Sequence, residues 1–184
     1  MATVTVFCSS SPRTPKLYLE DAAEVGRLLA EAGCEVVTGA GGTGCMQAVI
    51  DSCLAAGGTA RGVILRKFLE AGAEHPVITE MVVTETMRER KRLLGEEVDA
   101  YLALPGGPGT WEEFWEVAVE RQIDAHARPL ILVNTNGYYD AFLAHAQRAL
   151  EEGFLYGDVG DLFAIAPNGA QAVADVLEAL RNAD

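Results

Sequence analysis

Positive charge is scarce in this sequence: of 184 residues, 14 are Lys or Arg and 27 are Asp or Glu, a formal net charge of −13. Proteins that bind DNA or RNA gather Lys and Arg on one face, where they displace counterions from the phosphate backbone. No such cluster occurs here, so nucleic acid and anionic membrane surfaces are excluded as partners. A phosphorylated small molecule remains open, because backbone N–H groups and one or two local arginines hold a phosphate whatever the net charge. Long apolar runs are also missing, and nothing approaches the roughly 18 uninterrupted apolar residues of a membrane span. The opening Met-Ala-Thr-Val-Thr-Val-Phe-Cys is apolar too briefly for a secretory signal and has neither a basic leader nor a small-residue cleavage site. The four cysteines, Cys8, Cys34, Cys45 and Cys53, form no C-x-x-C and have no His at metal-ligand spacing, so no metal site is expected. Reduced thiols in a cytoplasmic protein are the expectation. The three histidines, His75, His126 and His145, lie on separate segments and read as surface or helix-end residues.

What is present is an average globular composition, 49% hydrophobic and 22% charged, in a chain long enough for one domain spanning residues 1–184. Short β-branched runs at Thr3 to Cys8, Cys34 to Thr38, Thr59 to Leu65, Ile78 to Thr84, Ala100 to Leu104, Leu130 to Val133 and Leu162 to Ala166 read as strands. Several are apolar on both faces, as strands buried in a parallel sheet are. Between them, Lys16 to Ala32, Gly44 to Ala56, Glu85 to Glu97, Thr110 to Ala125, Tyr138 to Glu152 and Ala170 to Arg181 carry apolar residues at helical spacing. On Thr110 to Ala125 the stripe is Trp111, Phe114, Trp115, Ala118 and Gln122, and core or subunit-interface packing accounts for its tryptophans. Glu70 to Pro76 is the expected irregular loop. The β-α alternation predicts a doubly wound, Rossmann-like α/β sandwich around a mostly parallel central sheet. Ligands bind such sheets in the crevice at the carboxyl ends of the strands, so the strand-to-helix loops carry the search for function.

Three loops stand out. Cys8-Ser9-Ser10-Ser11-Pro12 offers hydroxyls and N–H groups, which a plain helix cap also explains. Thr38-Gly39-Ala40-Gly41-Gly42-Thr43-Gly44 allows close backbone approach to an anion, but it lacks the Walker Lys and does not follow the first strand as the dinucleotide fingerprint does. Leu104-Pro105-Gly106-Gly107-Pro108-Gly109-Thr110-Trp111-Glu112-Glu113 is the most informative, with an apolar strand, a glycine loop and an acidic helix start in succession. Thr110 as a cap with Glu113 closing a capping box is the structural expectation. Capping does not explain the glycines and prolines that shape the approach. Amides gripping a phosphate, with Glu113 meeting a sugar or a water further along, form a nucleotide cleft. Upstream, Met87-Arg88-Glu89-Arg90-Lys91-Arg92 offers cations, of which two arginines are expected on a solvated helix face.

Pro105 to Glu113 reproduces the motif P-G-G-x-G-T-x-x-E, and Met87 to Lys91 reproduces M-x-x-R-K. The chain thereby resembles the LONELY GUY (LOG) family of cytokinin riboside 5′-monophosphate phosphoribohydrolases, often labelled lysine decarboxylases. Val6-Phe7-Cys8-Ser9-Ser10, Gln122 with His126, and Asn136-Gly137-Tyr138-Tyr139-Asp140 with Glu152-Gly153-Phe154 extend the likeness over nearly the whole chain. The resemblance implies release of the base from a nucleoside 5′-monophosphate without metal or other cofactor, by a homodimer whose two clefts are each built from both subunits. It makes Arg90 and Glu113 the catalytic pair and Gly106, Gly107, Gly109 and Thr110 the phosphate loop. Gly41 and Gly42 become a second wall; Ser9, Ser10, Met87, Arg88 and Lys91 become further substrate contacts, with Arg88 reaching the partner's site. A carboxylate near the ribose stabilises an oxocarbenium-like state. A guanidinium is a poor proton donor, so Arg90 is expected to position charge. The alternative in the same fold is a carrier of nucleotide or molybdenum cofactor without turnover. Pyridoxal phosphate chemistry finds no suitable setting among Lys16, Lys67 and Lys91. Departures from the family pattern are Ser9 and Ala40 in place of glycines, Cys45-Met46-Gln47 for Leu-Met-Gly, Asp124 for Gly, and no basic residue after Gly153-Phe154.

Overall fold

The computed structural model, which describes residues 1–183, is built on one sheet of seven strands in which every neighbouring pair is parallel. The strands are β1 (Thr3–Phe7), β2 (Glu35–Thr38), β3 (Ala60–Leu65), β4 (Glu80–Thr84), β5 (Ala100–Ala103), β6 (Leu130–Val133) and β7 (Ala164–Ala166), in the spatial order β4-β3-β2-β1-β5-β6-β7. The helices are α1 (Lys16–Glu31), α2 (Gly44–Ala55), α3 (Arg66–Glu70), α4 (Met87–Gly95), α5 (Pro108–Gln122), α6 (Asp140–Glu151), α7 (Val159–Leu162) and α8 (Gly169–Ala183). Every strand and helix expected from the sequence is present, with ends displaced by up to about three residues. Among the described residues no helix is long and apolar enough to cross a membrane.

Period-two alternation along each central strand divides the core into two layers. Val4 and Val6 of β1, with Ala100 and Leu102 of β5 and Ile131 and Val133 of β6, face α1, α2 and α8, meeting Val25, Leu29, Ile50 and Val176. Phe7, Tyr101, Ala103, Leu130 and Leu132 face the other way, meeting Leu94 of α4, Phe114, Val117 and Ala118 of α5, and Phe163. Each such buried aliphatic or aromatic side chain contributes about 1.5–3 kcal/mol. The chain runs outward from β1 to β4 and then returns to lay β5 on the other side of β1. The loops after β1 and β5 therefore leave toward opposite faces, and a crevice opens between them.

Two short helices go beyond the sequence reading. The five-residue α3 follows β3 directly, and α7 takes Leu162 out of the expected strand Leu162 to Ala166, leaving β7 with three residues. The cause is local: Asp158 and Asp161 form a reciprocal capping box that nucleates a turn where apolar character alone suggests a strand. The expected loop is irregular from Ala71 onward, with Gly41 and Glu74 forming one antiparallel bridge across it.

Helix α5 ends in a Schellman arrangement, the Ala125 N–H donating to Glu120 O at 2.9 Å and the Asp124 N–H to Arg121 O at 3.1 Å. That geometry requires left-handed backbone at residue 124, and Asp124 has φ 58°. An acidic side chain at a helix C-terminus also opposes the helix dipole. Asp124→Gly is expected to raise stability by up to about 1 kcal/mol, measured as a higher thermal midpoint; an unchanged or lower midpoint contradicts this account of the turn.

Candidate active site

Arg90 and Glu113 meet in the crevice. Arg90 Nη1 lies 2.7 Å from Glu113 Oε1, with both side chains 7% exposed. Helix α4 places the arginine. The Thr86 side chain caps the helix by accepting the Glu89 N–H at 3.1 Å, and Thr5 of β1 donates its hydroxyl to Leu94 O at 2.7 Å. At the far end, Arg128 Nη1 donates to Gly95 O at 2.7 Å while its guanidinium covers the Tyr101 ring. Arg90 Nε then donates to Val63 O of β3 at 3.0 Å, which locks the guanidinium plane. A Cβ at Gly39 would fall 2.2 Å from Arg90 Nη2, so only glycine lets the arginine pass at that point.

Helix α5 places the carboxylate. It begins at Pro108, two residues earlier than expected, and its N-cap is Gly107 without a side-chain cap. Thr110 is therefore inside the first turn and does not form the expected capping box with Glu113. The reason is that Pro at the first helical position, with φ preset and no N–H to satisfy, starts the helix ahead of the threonine. The N–H groups at the start of α5 have no carbonyl one turn back, which makes this end a ready anion site. Its glycines divide by function. At Gly106 a Cβ would lie 2.2 Å from Thr110 Oγ1, whereas at Gly107 and Gly109 it would meet nothing within 4 Å. Gly106 is required by packing, and the other two leave open space before the amides.

The Glu113 carboxyl lies above its ordinary value of 4.5, because burial raises it more than Arg90 lowers it. Arg90 occupies Oε1, and among the described residues no hydrogen bond is made to Oε2. The Cys8 thiol behind it is pushed well up, first by burial and then by Cys45 and Glu113, so it is no nucleophile. A cavity of about 440 Å³ between α4 and α5 has Glu113 on its wall, together with Arg88 and Lys91.

The remaining sequence-derived residues fall as follows. Ser9 and Ser10 belong to the crevice but do not cap α1, whose N-cap is Pro15. Instead Ser9 O accepts the Met46 N–H at 3.1 Å and Ser10 O accepts the Thr43 hydroxyl at 2.5 Å, stitching this loop to the glycine loop after β2. Gly41 is buried against Ser10 and Met46, and the Gly42 N–H is engaged by Ala73 O at 2.8 Å. Met87 and Arg88 are exposed on α4, as is Arg92, so two of the three arginines do lie on a solvated face. Lys91 Nζ bridges to Glu112 at 3.0 Å and Glu116 at 2.8 Å, tying α4 to α5.

His75 departs from expectation. It is 2% exposed, its Nε2 lies 3.0 Å from Asp51 Oδ1, and its N–H donates to Ala40 O at 2.8 Å. The irregular loop folds over the glycine loop and buries it, which no local pattern around His75 encodes. Tyr138 and Tyr139 were also missed as site residues; their hydroxyls donate to Gly106 O at 2.8 Å and Leu104 O at 2.7 Å. A Tyr-Tyr pair just after a strand was the available signal. Among the described residues no group of three or more His, Cys, Asp or Glu is poised to hold a metal.

A doubly wound sheet, an uncapped helix N-terminus and a buried Arg-Glu pair beside it define an α/β protein with a candidate anion site next to a buried carboxylate. A family model described as "Possible lysine decarboxylase" matches residues 46–176. A cytokinin riboside 5′-monophosphate phosphoribohydrolase of Rhodococcoides fascians is 39% identical over 153 residues, 83% of this chain and 77% of its own. One from Arabidopsis thaliana is 32% identical over 168 residues, 91% and 79% of the two chains. The chain belongs to this LOG family, the one the family model describes as possible lysine decarboxylases. Among solved structures, the molybdenum cofactor carrier protein of Chlamydomonas reinhardtii superimposes with TM-score 0.72 at 23% identity over 98% of each chain. The molybdenum cofactor binding protein of Rippkaea orientalis does so with TM-score 0.74 at 18% identity over 97% of each. At those identities the likeness is one of fold.

The two classes of glycine separate experimentally. Gly106→Ala is expected to cost about 1–3 kcal/mol of stability through its clash with Thr110. Gly109→Ala is expected to preserve or raise the melting temperature, alanine being the better helix former, and to weaken nucleoside monophosphate binding several-fold. Calorimetric melting and ligand titration of both variants check this; Gly109→Ala with unaltered affinity contradicts the assignment of the loop.

Proposed function

We propose that this protein hydrolyses the N-glycosidic bond of a nucleoside 5′-monophosphate, AMP or an N-alkylated AMP such as a cytokinin riboside monophosphate, releasing free base and ribose 5-phosphate. The observation that carries the reading is the buried Arg90–Glu113 pair at 2.7 Å, beside an uncapped helix N-terminus open to an anion. The names of the relatives support it independently.

In this reading the amides of Gly107, Gly109 and Thr110 hold the 5′-phosphate, which fixes the ribose over Glu113. As the C1′–N bond breaks, its electron pair leaves with the base, and positive charge develops on the ribose. The Glu113 carboxylate stabilises that charge and orients the water whose oxygen bonds to C1′. The base takes up the proton that the water loses. Arg90 holds the carboxylate in place and supplies fixed positive charge. Ser9, Ser10, Gly41, Gly42, Met87 and Arg88 line the remainder of the substrate's surroundings. Lys91 acts through Glu112 and Glu116, as the strap between α4 and α5.

We further take the enzyme to be cytoplasmic, to need no cofactor and to work as a homodimer with Arg88 reaching the partner's cleft. Exposed Trp111 and Val119 on α5, with Ile123 just past its end, support an interface there. A pyridoxal phosphate enzyme would need a lysine free in the crevice. Lys16 is paired with Glu20 on the surface, Lys67 is exposed on α3, and Lys91 is held by two carboxylates.

Base release is to be measured on AMP, isopentenyl AMP, the other nucleoside monophosphates and adenosine. Release is expected to require the 5′-phosphate, to fall at least about 100-fold in Glu113→Gln and to change little in Glu112→Gln. Equal losses at both positions point to a general field of the acidic helix and contradict a positioned catalyst. Saturable binding without release from any substrate overturns the enzyme reading in favour of a carrier.

The pH dependence of kcat/KM, which reports ionisations of the free protein, has a defined sign. Glu113 works as its anion and its carboxyl lies above 4.5, so activity is expected to fall as pH drops through a midpoint above 4.5. An acid limb at or below 4.5 contradicts this role.

A further inference from the structure

The hydroxyls of Tyr138 and Tyr139 both end on the loop between β5 and α5, yet the two bonds have different consequences. A trans peptide points its C=O and the following N–H in opposite directions, and the chain contains no cis peptide. Tyr138 donates to Gly106 O at 2.8 Å, so it anchors the peptide plane whose other end is the Gly107 N–H. That N–H is thereby turned away from Tyr138, and among the described residues no backbone carbonyl accepts it. Tyr139 donates to Leu104 O at 2.7 Å, and the following residue is Pro105, which has no N–H to aim.

From this contrast we infer that Tyr138 is a positioning residue for phosphate recognition, aiming the Gly107 N–H at the 5′-phosphate by fixing the Gly106 carbonyl, whereas Tyr139 is a structural brace of the same loop. The inference rests on the reading of Gly106 to Thr110 as the phosphate loop. The surroundings of Tyr138 suit the task. Its ring is held edge-on by Tyr18 at 5.7 Å and by Tyr139 at 4.8 Å, which limits its rotamers. Burial and the neighbouring Tyr18 raise its phenol, so it remains a donor through neutral pH. Asn134 sets the entry to this segment, its Oδ1 accepting the Tyr139 N–H at 2.7 Å and its Nδ2 donating to Asp140 at 2.8 Å. The turn after β6 is thus rigid enough to hold a hydroxyl against a loop that grows from β5.

The test compares Tyr138→Phe with Tyr139→Phe, each of which removes one hydroxyl and keeps the ring. Affinities for AMP, ribose 5-phosphate, adenosine and adenine are measured by titration calorimetry, and melting temperatures are recorded for both variants. Tyr138 is 40% exposed and Tyr139 is 2% exposed, so the stability loss is expected in Tyr139→Phe, where a buried carbonyl loses its donor. Tyr138→Phe is expected to weaken AMP and ribose 5-phosphate by about three- to tenfold, with adenosine and adenine unchanged. Equal weakening of phosphorylated and unphosphorylated ligands, or equal effects of the two variants on ribose 5-phosphate, overturns the inference. Ribose 5-phosphate has no glycosidic bond to a base and is not turned over, so its titration decides the comparison whether or not AMP is hydrolysed. Absence of base release from the unaltered protein defeats the enzyme reading and leaves the tyrosine comparison intact.

Discussion

The buried contact between Arg90 and Glu113 is the constraint around which the crevice is organised. Removing two ions from water costs several kcal/mol each, and the pair recovers this only with good geometry and further hydrogen bonds. The structure supplies both. Arg90 is held by Val63 O as well as by the carboxylate, and α4 is anchored by Thr86 at its start and by Thr5 and Arg128 toward its end. An apolar pair of similar volume would stabilise the fold as well or better. The expense is intelligible as a means of keeping a carboxylate ionisable, immobile and water-poor next to the uncapped start of α5.

The same pairing resolves an electrostatic conflict. A chain of net charge −13 with three carboxylates in the first three turns of α5 is a poor prospect for binding a phosphate at that helix's N-terminus. Each carboxylate, however, has a cation: Glu113 has Arg90, and Glu112 and Glu116 share Lys91. Over the few ångströms that separate an amide from a phosphate, paired charges largely cancel and the helix dipole and open N–H groups prevail. Because the bridges from Lys91 end on exposed carboxylates and are individually weak, their contribution lies in holding the register of α4 against α5.

Two departures from the family's glycine pattern have a backbone explanation. Ala40 and Asp124 both lie in left-handed conformation, at φ 61° and 58°, where glycine carries no steric penalty. At Ala40 the methyl is accommodated because β3 presents Gly62, where a Cβ would fall 2.4 Å from that of Ala40. The loop that bears it is further secured by the bond from His75 to Ala40 O and by the Asp51 contact behind it. Strain at this wall of the crevice is therefore matched by packing from two other elements.

Much of this molecule is legible in one dimension. Strand and helix identity follow from period-two and helical spacing, and the doubly wound sandwich follows from their alternation. The glycine-rich turn before Glu113 is legible as a candidate phosphate loop because local backbone freedom is a property of the residues themselves. What the sequence does not contain is which side chains share a buried space. Charge and helical spacing leave Arg90 equivalent to Arg88 and Arg92; the family motif marks Arg90, and the docking of α4 on β3 supplies the physical reason, since this is the arginine that reaches Val63 O and Glu113. The sequence makes Thr110 a cap where Pro108 starts the helix, His75 a surface residue where a returning loop buries it, and Tyr138 an anonymous aromatic where β6 sets it against β5. The sequence by itself determined the periodicities, the turns and the chemical inventory, since these depend on neighbours along the chain. The tertiary structure alone decided the pairings, because they depend on elements that the sheet order brings together from distant parts of the chain.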